Sequence, residues 1–93
     1  MTVEERPETS FEQNVRRILT DLEDELIRKN EAYGDSALNP VRVFSKADRI
    51  EQLYVRLDDK ISRIQRGNEY PGDDTLKDIL GYIVLLMIAR ESE

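Results

Sequence analysis

The chain has no cysteine and no histidine. Without cysteine there is no disulfide framework and no thiol nucleophile. Without histidine there is no imidazole general base and no Ser-His-Asp triad. Any metal would therefore be a hard cation held by oxygen, Mg²⁺ or Mn²⁺. The longest nearly unbroken apolar run, Ile79 to Ala89, has 11 residues, and a bilayer span needs about 20. The amino terminus, Met1-Thr2-Val3-Glu4-Glu5, is polar and acidic and lacks the features of a secretory signal. These absences predict a cytoplasmic protein without membrane association.

What is present is charge. Of 93 residues, 14 are Lys or Arg and 20 are Asp or Glu, a net charge of −6. That balance argues against binding duplex DNA, whose phosphates demand a basic surface. The distribution is uneven. Residues 1–41 hold 5 cations and 10 anions, residues 42–66 hold 7 and 4, and residues 67–93 hold 2 and 6. A basic middle lies between two acidic ends.

The length suits one domain, expected over 9–93, with residues 1–8 a disordered tail. Three helices are expected, about 10–32, 45–66 and 73–90, and no strand, so the fold class is all-α. In the first, Phe11, Val15, Ile18, Leu19, Leu22 and Leu26 recur at helical spacing. Thr9 or Ser10 can cap it, and Tyr33-Gly34 ends it. The loop over 35–44 carries Val41, Val43 and Phe44, which predicts that it packs down. The second helix is read from Ser45, with a stripe of Ile50, Leu53, Tyr54, Leu57, Ile61 and Ile64, and Gly67 stops it. Pro71-Gly72 marks a turn. The third helix is apolar almost all the way round from Ile79 onward, so it must be covered on every side. A homo-oligomer through this helix is expected.

On an ideal wheel, Arg49, Arg56, Lys60 and Arg63 fall within roughly 60° of one another on the shoulder of the second helix's apolar stripe. Guanidinium forks and ammonium groups along the rim of a groove suit phosphate. A solvated, ion-paired face is the alternative. Asp21 and Glu25 on the first helix, and Asp74 and Asp78 on the third, are i, i+4 pairs that could hold Mg²⁺, or could equally be surface residues and helix-start anions. Lys29, Asn30 and Tyr33 offer two donors and a ring at the end of the first helix. Tyr54, Tyr70 and Tyr82 are the other tyrosines; Tyr82 shares a face with Asp74 and Asp78, where its ring could stack on a base. Gly81 beside it permits close helix approach.

Lys29-Asn30-x-x-Tyr33-Gly34, Arg56-x-x-x-Lys60-Ile61-x-Arg63-Ile64 and Asp74-x-x-x-Asp78-Ile79-x-Gly81-Tyr82 together resemble the family named nucleotide modification associated domain 1. The resemblance spans about residues 15 to 89. That family occurs largely in phages and prophages and is similar to MazG-type all-α nucleoside triphosphate pyrophosphohydrolases. The resemblance implies a helical oligomer with a nucleotide-sized pocket, with Lys29, Tyr33, Arg56, Lys60, Arg63, Asp78 and Tyr82 as pocket residues. MazG-type enzymes hold Mg²⁺ with Glu-x-x-Glu on one helix and Glu-x-x-Asp on a later one. Here Arg28 stands three residues after Glu25, and Lys77 stands three residues after Asp74.

Three functions follow as expectations. The first is a protein that binds a nucleotide or cyclic nucleotide without robust catalysis, with no catalytic residue assigned. Its pocket would lie at an oligomer interface, and it could sequester an immune signalling nucleotide in the host of a phage. Its ligand-binding residues would be Lys29, Asn30, Tyr33, Arg49, Arg56, Lys60, Arg63 and Tyr82. The second is a Mg²⁺-dependent pyrophosphohydrolase using Asp74 and Asp78. The third is an acidic helical module that docks on a basic partner.

Overall fold

The computed structural model describes residues 6–67 and 74–92. Three helices make up its regular structure: α1 (Ser10–Ala32), α2 (Arg49–Arg66) and α3 (Thr75–Glu91). No strand occurs among the described residues. The fold is all-α.

Each helix begins at a side chain that accepts one of the unpaired amides of the first turn. Thr9 accepts from the Glu12 amide at 3.1 Å. Asp48 accepts from Glu51 at 2.9 Å, and Asp74 accepts from Lys77 at 3.1 Å. Residues 1–5 of the expected tail lie outside the described residues. Arg6 and Glu8 do not hang free: Arg6 pairs with Glu12 at 2.5 Å, and Glu8 pairs with Arg16.

The second helix starts four residues later than its sequence pattern suggests. Ser45 Oγ accepts the Ala47 amide at 3.1 Å, which ties 45–47 into a local turn. Gln52 Nε2 then donates to the Ala47 carbonyl at 2.8 Å. The competing hydroxyl turn delays the helix to the stronger cap at Asp48. At the other end Gly67 adopts φ 69°, the left-handed region that only glycine enters without strain. The turn expected at Asn68–Asp73 falls outside the described residues.

The end of α1 is a tight reversal. Gly34 and Asp35 both take left-handed backbone, φ 63° and 60°. The Asp35 amide reaches back to the Asn30 carbonyl at 3.0 Å, the long bond of a Schellman ending. Asp35 in turn accepts from the Asn39 amide at 2.9 Å and from Asn39 Nδ2 at 2.5 Å. The following loop divides. Ala37 and Leu38 pack on the core. Val41, Val43 and Phe44 do not, and Phe44 is 98% exposed. The expectation that the loop packs down fails at these three, because no helix lies beneath them to receive their side chains.

The core is small and lies mainly between α2 and α3, with Leu22 the one buried apolar residue α1 adds among the described residues. Leu53, Leu86 and Ala89 are buried together, flanked by Ile50, Leu57, Tyr82 and Leu85. Arg49 at the start of α2 donates to the Ala89 carbonyl at 3.2 Å and to Ser92 Oγ at 2.5 Å. This fixes α2 and α3 as an antiparallel pair and places a cation on the negative end of the α3 dipole. α1 meets α3 over a shorter contact, where Leu26 lies against Gly81.

Candidate functional site

Where the second half of α1 passes over α3, a cleft of about 630 Å³ opens within the single chain. It was expected between subunits, but its walls come from α1, α2, α3 and the loop at Ser36 and Ala37. Leu22, Leu26 and Leu85 give it apolar surface. Gly81 makes the notch possible. A Cβ there would stand 3.1 Å from Leu26 Cδ2, tighter than ordinary contact. Glycine lets α1 settle close enough to α3 that side chains from both helices share one space.

The rim is a ladder of alternating charge. Lys77 Nζ sits 2.7 Å from Asp21 and 2.7 Å from Glu25. Glu25 also meets Lys29 at 3.1 Å, one turn along α1. Lys29 lies 3.6 Å from Asp78, and Asp78 meets Lys60 at 3.1 Å. The ladder therefore runs across all three helices. Hydrogen bonds from Lys77 and then Lys29 hold the Glu25 carboxyl below the usual carboxylate range. Burial alone would lower the Lys29 ammonium, but Glu25 and Asp78 outweigh it and the group is raised. Lys77 is raised as well, by its bonds to Asp21 and Glu25.

Arg56 lines the same cleft. It is exposed and makes no ion pair or hydrogen bond among the described residues. Its guanidinium is a free fork beside a paired lysine. Two tyrosine rings complete the lining: Tyr33, largely exposed at the end of α1, and Tyr82, half-buried against the core.

The residues singled out from sequence divide accordingly. Lys29, Asn30, Tyr33, Arg56, Lys60 and Tyr82 face this one cleft. Arg49 and Arg63 do not line it. Arg49 ties down the end of α3, and Arg63 pairs with Asp59 at 3.3 Å along its own helix. The stripe of four cations on α2 is thus two cleft residues and two structural ones. Tyr54 lies outside the lining, and Tyr70 is outside the described residues. Lys77 was weighed only as a departure from a metal motif, yet it is a central cation of the site. The signal was its position three residues into a helix whose neighbour carries Asp21 and Glu25 on one face.

The donor set does not fit a divalent ion. Asp74 is spent on the cap of α3. Asp78 faces two ammonium groups. The space between Asp21 and Glu25, where an i, i+4 pair would clasp Mg²⁺, holds the Lys77 ammonium instead. Among the described residues no group of three carboxylates converges, and hard cations take six or more oxygens. No helix of the described residues is long and apolar enough to cross a membrane.

No family model, curated protein or solved structure matches this chain.

Proposed function

We propose that this protein binds a nucleotide or cyclic nucleotide in the cleft between α1, α2 and α3, and holds it without cleaving it. The observation that carries the reading is the unpartnered Arg56 guanidinium on a cleft that also presents Lys29, Lys60 and two tyrosine rings. Arginine offers a planar fork that matches two phosphate oxygens. Lys29 and Lys60 already hold a carboxylate, Asp78, between them. A phosphate is a doubly competent substitute for that carboxylate, so the resting pair is a placeholder for the ligand. Tyr33 supplies an exposed face for a base, and Leu22, Leu26 and Leu85 supply apolar contact for a sugar or ring edge. The volume is within the roughly 300–1,000 Å³ usual for small-molecule sites.

Cleavage draws no comparable support. A pyrophosphohydrolase needs carboxylates free to bind metal and activate water. Here Asp21, Glu25 and Asp78 are each neutralised by lysine. The role that suits such a site is sequestration, in which the protein lowers the free concentration of a signalling or precursor nucleotide.

Calorimetry against a panel of nucleoside mono-, di- and triphosphates and cyclic dinucleotides tests the reading. Binding is expected at or below the order of 100 μM, about −5.5 kcal/mol. It should be lost in Arg56→Glu, with the ligand recovered intact after long incubation. No heat from any member of the panel at that concentration would overturn it. Released pyrophosphate in the presence of Mg²⁺ would overturn the claim that the ligand is only held.

A further inference from the structure

On the side of α3 away from the cleft lies a second surface that the described residues leave exposed. Leu76, Leu80, Ile83 and Met87 repeat at spacings of 4, 3 and 4, which puts them on one stripe within about 60° of arc, on the opposite side of the helix from Gly81, Tyr82 and Leu85. All four are exposed, Leu76 at 69% and Met87 at 61%. From Ile79 to Ala89 the helix carries no charged residue, so covering this side desolvates no ion. The first half of α1 has the matching feature. Phe11, Val15 and Ile18 follow the same spacing of 4 and 3, and all stay open to solvent, Phe11 at 74%. Leu22, next in that series, is already buried in its own chain.

We propose that the charge-free back of α3 and the open first half of α1 are covered by a second copy of this chain, helix against helix. Heptad-spaced apolar stripes on both surfaces are what knobs-into-holes packing requires. The area agrees. The chain exposes 7470 Å², while a compact chain of this mass exposes about 5,600 Å². The surplus is roughly 1,900 Å², and a stable interface takes about 800 Å² from each partner. Its radius of gyration is 16.3 Å, against about 12 Å for a compact domain of this length. The open stripes on α1 and α3 are where a second copy would take up that surface. A membrane surface is the poorer occupant, since interfacial helices carry lysine and arginine beside their apolar face and this chain is net acidic.

Sedimentation or light scattering on the unmodified protein, at on the order of 100 μM, tests this without reference to any nucleotide. The expected mass is at least twice 10.9 kDa. The double variant Leu80→Asn, Ile83→Asn should drop to the single-chain mass, while Asp58→Ala on the exposed side of α2 should not. Should the double variant fail to fold, Met87 in the unmodified protein gives the same answer. Peroxide should oxidise it at least several-fold more slowly than free methionine. A single-chain mass with full helical circular dichroism and rapid Met87 oxidation would sink the proposal. So would an assembly that survives the double variant intact. A single-chain mass that becomes vesicle-bound on anionic lipid would assign the surface to membrane instead.

Discussion

α3 is held on its two sides by different physics. Against α2 it is held by burial: Leu53, 1% exposed, with Leu86 and Ala89, and an arginine clamp at the helix end. Against α1 it is held by one steric notch, Gly81 under Leu26, and by two lysines, Lys77 and Lys29, set against Asp21, Glu25 and Asp78. Burial is insensitive to salt and to pH near neutrality, whereas partly exposed ion pairs are weak and screened. The two halves of the molecule therefore differ in what loosens them. The cleft lies along the looser joint, where a bound anion can compete with the protein's own carboxylates and be felt by the fold.

The contrast breaks most directly at Leu53. Leu53→Ala empties the one large side chain that is fully enclosed among the described residues, at a cost of about 2–5 kcal/mol. It should lower the urea midpoint for the whole chain, because the described residues hold no other apolar cluster of that depth. Gly81→Val attacks the other joint. Its methyls would meet Leu26 where even a Cβ is tight, an overpacking cost of about 1–3 kcal/mol. The expected result is local: α1 lifts away, ligand binding is lost, and slow amide exchange persists in α2 and α3. Equal loss of protection in all three helices would show that the joints are not separable.

The legible part of this fold was the local part. Thr9, Gly34 and Gly67 announce their helix ends because caps and left-handed turns are decided within four or five residues, whereas the pattern starts α2 at Ser45 and the cap is Asp48. The site was legible as far as helix faces go, and Lys29, Tyr33, Arg56, Lys60 and Tyr82 do meet. The wheel failed at Arg49, because it records angle and ignores height. Arg49 and Lys60 are 11 residues apart, about 16 Å along an α-helix, so Arg49 stands at the amino end of α2 and Lys60 well into its second half. Lys77 was misjudged for a different reason. Asp21 and Glu25 on one face suit a metal or a lysine equally well, and only the crossing of α1 over α3 decides which arrives. Phe44 and its neighbours had no local signal at all, since whether a loop side chain is covered depends on what lies under it.

A smaller effect sharpens the electrostatic side of the comparison. Asp78→Asn removes the carboxylate shared by Lys29 and Lys60. A partly exposed pair of this kind contributes about 1 kcal/mol, so the urea midpoint should fall slightly. If Asp78 holds the place of a phosphate, affinity for nucleotide should rise several-fold in the same variant, since the competitor is gone. Weaker binding in calorimetry would mean instead that Asp78 positions the lysines.

The smallest effect is the one with acid. The Glu25 carboxyl is held below its ordinary value of 4.5 by Lys77 and Lys29. Its contribution to stability is therefore complete above pH 4.5 and is lost as pH falls through the lowered value of the folded state. Lys29, raised above 10.5, behaves in the opposite sense. Its contribution is complete below pH 10.5 and fades as pH rises through the raised value. Between those limits the joint between α1 and α3 should be flat in pH. Glu25→Gln should remove the acid limb from a plot of urea midpoint against pH, and the change should be larger in low salt than in high. Because Leu53 and its neighbours carry no carboxyl group, α2 and α3 should retain protected amides through the acid range in which α1 begins to exchange. Simultaneous loss in all three helices on the acid side would place the controlling carboxylate outside this ladder.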